Sequence, residues 1–307
     1  MTRTRSRWTL FVAILLVGVA AAAVAQRGFG FRRHTATDAR ALTLVPADRE
    51  PPAPSRHEHT HDSAIRTIES NGVPAHLVGA FPNPGNPNTI REQRHRFRVP
   101  LKPKIAAAPT PLIPPPGRGR PLHVFGACVN GVALEPGAGE FWQGRPRLGW
   151  AYEPLGGAIN LGLDANHAHV QPTGKYHYHG LPTGLLAELG VTAGEHSPLV
   201  GWAADGFPIY ARYGYADAND PESDAVELKP SWRLKAGDRP GGDLPTGPHD
   251  GAFVQDYEYV VGLGDLDECN GREGVTPEFP DGAYAYFLTA DWPVIPRHFR
   301  GPPVRLR

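Results

Sequence analysis

The stretch Ala165–Gly180, ANHAHVQPTGKYHYHG, holds two His-x-His pairs on either side of a short turn. Successive side chains alternate faces along a β-strand, so His167 shares a face with His169 and His177 shares one with His179. The turn decides whether the two faces coincide. Pro172-Thr173-Gly174 reads as a three-residue hairpin loop, proline presetting φ for a type I turn and glycine taking the left-handed position. Gln171 then opposes Lys175. Counting outward sets His169 across from His177 and His167 across from His179, on one side of the sheet. Directly opposed residues have Cβ atoms about 4.5–5.5 Å apart, close enough for imidazole nitrogens to converge on one ion. A loop longer or shorter by one residue would shift the register and send the pairs to opposite faces. Of the 14 histidines in the chain, four fall here, and that density favours a metal site over a structural or proton-binding cluster.

Outward from this hairpin, β-prone runs recur: HRFRVPL, LHVFGACVNGVAL, FPIYARYGY, DYEYVVGL and AYAYFLT, each bounded by glycine, proline or asparagine. With 36 glycines and 34 prolines in 307 residues, long helices are disfavoured. The expected fold is mostly β, a loop-rich sandwich or barrel-like domain over about 63–303, with short helices only near Gly157–Leu163 and Thr183–Leu189. Residues 101–120, LKPKIAAAPTPLIPPPGRGR, read as a semi-rigid connector or long loop. Pro172–His179 and Pro280–Phe287 share a P-x-G-x-Y-x-Y frame. If it marks a structural repeat, one copy carries the histidines and the other is packed.

Met1–Ala25 has the make-up of a secretory signal. Arg3, Arg5 and Arg7 precede the apolar run WTLFVAILLVGVA, and Ala23-Val24-Ala25 offers a cleavage site before Gln26. The expected product is secreted or periplasmic, an uncleaved anchor being the alternative. No later stretch is apolar enough to span a membrane. The near-neutral balance of 31 basic and 31 acidic residues gives no reason to propose nucleic acid as a partner. Residues 26–62 lack any sustained period and read as a disordered leader, in which His57, His59 and His61 fit a solvated tail better than a loose metal trap. Cys128 and Cys269 are the only cysteines, and export makes a disulfide between them the expectation over soft-metal binding.

GLGDLDECNG gathers Asp265, Asp267, Glu268 and Asn270 around Cys269, but the EF-hand spacing fails because Cys269 is fifth and Asn270 sixth. Asp267 or Glu268 could instead orient a ligand histidine or hold a water. Asp205 lies in an Asp-Gly turn, where turn chemistry is the simpler explanation. His196 could reach the same pocket. Tyr176 and Tyr178 alternate with the histidines and face the other way.

LDANHAHVQPTGKYHYHGLP resembles the YHYH-domain proteins, whose name is the tetrapeptide at Tyr176–His179. The likeness runs over about Ile65–Pro302 and includes SNGVPAHLVGAFPNPGNPNTI, CVNGVALEPG, LVGWAADGFPIYARYGY and DLDECNGREGVTPEFPDGAYAYFLT. It implies an exported protein and points toward metal binding. It carries no catalytic residue over, so the metal expectation rests on the hairpin.

The leading expectation is an exported protein in which His167, His169, His177 and His179 bind a copper or zinc ion, with three of them plus water, the fourth supporting a ligand, as the variant arrangement. An enzyme is the second: an oxidoreductase or hydrolase acting on a small-molecule substrate at the same ion, with Asp205, Asp267 or Glu268 as base candidates. The third is a structural or surface-interaction module without metal. Nucleophile-elbow, phosphate-loop and dinucleotide motifs are absent. The glutamate that should follow the first His-x-His of a cupin is missing, and the further ligands of copper-zinc superoxide dismutase are missing too.

Overall fold

The hairpin predicted from Ala165–Gly180 forms, with His169 opposite His177. Gln171 N–H donates to the Lys175 carbonyl at 2.9 Å and Gly174 N–H to the Gln171 carbonyl at 2.8 Å, closing the three-residue turn. Gly174 takes φ 89°, as the loop type requires. The computed structural model describes residues 33–118 and 121–306. The secretory signal read at Met1–Ala25 and the start of the leader lie outside the described residues.

Along the chain, β1 (His57–His61), β2 (Ile65–Ser70) and β3 (His95–Pro100) form an antiparallel sheet in that order. β4 (Thr110–Pro111) follows, then β5 (Gly126–Cys128), β6 (Ala133–Leu134), β7 (Ala168–Val170) and β8 (Tyr176–Tyr178). The helix α1 (Thr183–Glu188) leads to β9 (Gly201–Ala203) and β10 (Pro208–Ala211). Then come β11 (Tyr213–Tyr215), β12 (Ala225–Glu227), β13 (Trp232–Leu234), β14 (Tyr257–Tyr259), β15 (Gly271–Thr276), β16 (Phe279–Leu288) and β17 (His298–Phe299). The large sheet has eight strands in the order β15-β16-β10-β9-β5-β6-β8-β7, and β11-β12, β13-β14 and β17-β4 make ribbons. The fold is mostly β, in several sheets, with no closed barrel among the described residues. Aromatic side chains fill the core: Phe97, Phe125, Tyr176, Tyr178, Tyr286 and Phe299 are fully buried in one cluster.

The large sheet is built twice. β5-β6 and β7-β8 correspond in order and register to β9-β10 and β15-β16. Gly126 pairs with Leu134 as Gly201 pairs with Ile209. Leu134 pairs with Tyr178 as Ile209 pairs with Tyr286, both in parallel. Ala168 pairs with Tyr178 as Gly271 pairs with Tyr286. At the centre Ala127 faces Trp202. The flanking bonds Val129 N–H to the Val200 carbonyl and Ala204 N–H to the Phe125 carbonyl, both 2.8 Å, exchange under the same correspondence. This is an internal pseudo-twofold repeat. The sequence pairs it aligns are GACVNGVAL with GWAADGFPI, LDANHAHV with LDECNGRE, and PTGKYHYH with PDGAYAYF.

Three expectations change. Part of the stretch read as a disordered leader is tied to the body: β1 pairs with β2, and Val45 N–H reaches the Leu163 carbonyl at 2.8 Å. Val45 and Leu163 are distant in sequence and meet through backbone groups, and β1, though next to β2 in the chain, is exposed along its whole length, so neither leaves a periodic trace. Gly157–Leu163 is not helical; a helix has no use for the left-handed Gly157 and Gly162, at φ 67° and 62°. Residues 101–118 pack as a long loop through β4 and the buried Leu112. Cys128 and Cys269 are buried free thiols, not a disulfide. Cys128 is on β5 and Cys269 just precedes β15, four positions away in the sheet. At about 4.8 Å per position the strands are roughly 19 Å apart, whereas a disulfide needs Cα atoms within about 7 Å.

Candidate metal centre

The hairpin delivers three of its four histidines to one point. His177 Nε2 lies 3.0 Å from His179 Nε2, which lies 3.1 Å from His169 Nε2. The ring centroids form a nearly equilateral triangle of 4.7, 4.6 and 4.7 Å, the rings meeting edge to face. Their ligand nitrogens all lie within 4.8 Å of one another, the one such group among the described residues. His167 is not in it. The turn begun by Asp164 continues one residue further than the strand alternation supposes: His167 N–H donates to the Asp164 carbonyl at 2.8 Å and His167 takes φ 53°. β7 therefore starts at Ala168, and His167 Nδ1 binds the Leu181 carbonyl at 2.9 Å.

Burial sets the protonation of the three rings. His177 and His179 are each 2 % exposed. Desolvation, reinforced by the neighbouring imidazoles, holds both well below the ordinary histidine pKa. Burial lowers His169 as well. Near neutral pH all three rings are uncharged. A carbonyl oxygen has no proton to give, so a ring nitrogen facing one carries its own. His169 Nδ1–H donates to the Leu161 carbonyl at 3.0 Å, and His177 Nδ1–H to the Lys175 carbonyl at 3.4 Å, a long bond. Both Nε2 atoms then present lone pairs to His179. A proton on His179 Nε2 can serve only one of them, and a proton on its Nδ1 leaves three lone pairs face to face. His179 Nδ1 makes no hydrogen bond of good geometry among the described residues, although the Glu135 backbone beside it favours the charged ring. A cation at the common point would satisfy all three nitrogens.

Glu135 follows β6, directly beside the hairpin, with Oε2 4.0 Å from His177 Nε2. Gln171 Nε2–H donates to Oε2 at 2.8 Å, and Lys175 pairs with Oε1. The sequence carries no local signal for Glu135, because the parallel pairing of β6 with β8 joins segments more than forty residues apart. The tyrosines occupy the other face, as expected. Tyr176 O–H donates to Asp164 at 2.8 Å, and Tyr178 O–H to His76 Nε2 at 2.6 Å.

The other sequence candidates lie elsewhere. Asp205 accepts from Tyr286 O–H at 2.5 Å and Gly301 N–H at 2.9 Å, and burial raises its pKa. Asp267 accepts from Tyr284 O–H at 2.9 Å and from the backbone of Cys269 and Gly271. Both brace turns in the half of the repeat without histidines, and Glu268 is exposed. His196 packs on Tyr215 and Tyr210 there. His57, His59 and His61 are exposed on β1, with His59 Nε2–H bound to the Val129 carbonyl at 2.8 Å. Burial pushes both thiols far above the usual cysteine range, and neither belongs to the three-histidine group.

A family model described as YHYH protein matches residues 96–301, about two thirds of the chain. No curated protein and no solved structure matches it. The chain belongs to the YHYH family.

Proposed function

We propose that this YHYH-family chain is an exported metal-binding protein, holding one Cu²⁺ or Zn²⁺ ion on the Nε2 atoms of His169, His177 and His179. The observation that carries this reading is the convergence of three neutral Nε2 atoms, two of them fixed as lone-pair donors by bonds from their own Nδ1–H. Two nitrogens bound at about 2.0–2.1 Å to one ion stand about 3–3.4 Å apart, close to the spacings of 3.0 and 3.1 Å. The backbone carbonyls supply the outer hydrogen bonds that orient ligand imidazoles. Export is supported by Arg3, Arg5 and Arg7 ahead of an apolar run with small residues after it. No helix among the described residues is long and apolar enough to cross a membrane.

Among the enzyme candidates, Asp205 and Asp267 already brace turns, so binding is favoured over turnover. The test is the metal content of the tag-free mature protein after equilibration with Cu²⁺ or Zn²⁺. About one ion per chain is expected for the wild type, and a small fraction of that for His177→Ala and His179→Ala. Substoichiometric metal that the substitutions leave unchanged would defeat the proposal.

A further inference from the structure

We propose that Glu135 is the fourth ligand of the ion at His169, His177 and His179, making the centre a site of three nitrogens and one carboxylate for a divalent cation. The inference rests on the three-histidine reading and adds to it the ligand that sets the ion's charge.

Glu135 is 4 % exposed, and its Oε2 lies 4.0 Å from His177 Nε2. Bonds of about 2.0–2.2 Å at a tetrahedral angle set a ligand nitrogen and a ligand oxygen about 3.3–3.5 Å apart, so Oε2, which lies outside the group of ring nitrogens within 4.8 Å of one another, joins the ion by swinging toward it. Oε2 accepts from Gln171 and has a second lone pair to offer. Lys175 occupies the other oxygen, Oε1. It can keep that contact while Oε2 ligates, and it thereby acts as a positioning residue that presents one oxygen to the ion.

The internal repeat supplies an independent comparison. Both halves keep the frame: Asp164 with Asp267, Tyr176 with Tyr284, and Tyr178 with Tyr286. The positions of His169, His177 and His179 are Arg272, Ala285 and Phe287 in the other half. Glu135 corresponds there to Tyr210, and Lys175 to Ala283. The half with the imidazoles has the acid and its lysine, and the half without them has neither. The frame alone does not require Glu135. A hard oxygen anion in the ligand set favours Zn²⁺ or Cu²⁺ over Cu⁺, which prefers sulfur.

The test uses the mature full chain as wild type, Glu135→Gln, and Glu135→Gln/Lys175→Met, the last removing both buried charges together. Thermal melts of the metal-free proteins check folding. Zinc affinity, read by competition with a chromophoric chelator, should fall 10- to 100-fold in both variants. Pulsed electron paramagnetic resonance of the Cu²⁺-loaded wild type in D₂O should show no exchangeable equatorial water, and Glu135→Gln should gain one. Affinities within twofold of wild type, or an exchangeable water already present in the wild type, would overturn Glu135 as a ligand and leave the three histidines standing. A wild-type chain that takes up neither zinc nor copper would overturn both.

Discussion

His167 and His169 belong to one dipeptide repeat, yet the backbone gives them different tasks. The left-handed conformation at His167 ends the Asp164 turn and sends its ring to the Leu181 carbonyl, while His169 enters the strand and meets its neighbours. His167→Ala should keep the wild-type metal stoichiometry, and His169→Ala should lose most of it; a titration with Zn²⁺ compares them. The buried rings also link stability to pH. Their folded pKa values lie below the unfolded value of about 6.5, so below that pH the unfolded chain binds protons that the folded chain does not. Stability of the metal-free protein is full above about pH 6.5 and is lost as pH falls, by up to about 1.4 kcal/mol per pH unit for each ring. Denaturant melts between pH 8 and 5 should show a steeper loss in the wild type than in His177→Gln. Parallel curves would contradict it.

At the level of elements, the hairpin was legible because its turn chemistry and its alternation agree. Gly174 and the Gln171–Lys175 closure give the register that places His169 opposite His177. A glycine inserted between Thr173 and Gly174 should shift that register by one and abolish metal uptake while leaving the other half of the sheet intact. The metal content and circular dichroism of the insertion variant read both effects. Thr183–Glu188 was also legible as a short helix. What escaped the sequence is non-local. Glu135 reaches the site through a parallel pairing across a long connection, and the segment near Val45 meets Leu163 through a backbone bond between residues far apart in the chain. The disulfide expectation followed from compartment chemistry and had no access to the strand order that separates Cys128 from Cys269. Both thiols should resist a thiol reagent in the native protein, and two per chain should react after unfolding.

Across the whole molecule, the P-x-G-x-Y-x-Y echo proves to be the visible part of a repeat that spans the large sheet. Its other traces, such as the left-handed His167 and Asn270 at φ 53° and 57°, are conformations that unlike residues share. They are invisible to residue matching. Tyr176 and Tyr284 hold equivalent aspartates, so Tyr176→Phe and Tyr284→Phe should each cost about 1–3 kcal/mol by leaving the buried Asp164 or the half-buried Asp267 short of a donor. Urea melts should give similar losses for the two. Only Tyr176→Phe, on the strand that carries His177, is expected to weaken metal binding.

The most direct measurement is a crystal structure of the zinc-loaded protein with anomalous scattering at the zinc edge. It should show one zinc ion per chain bound by the Nε2 atoms of His169, His177 and His179 at about 2.0–2.1 Å. Zinc absent from that point, or held there by fewer than three of these rings, would contradict the metal centre.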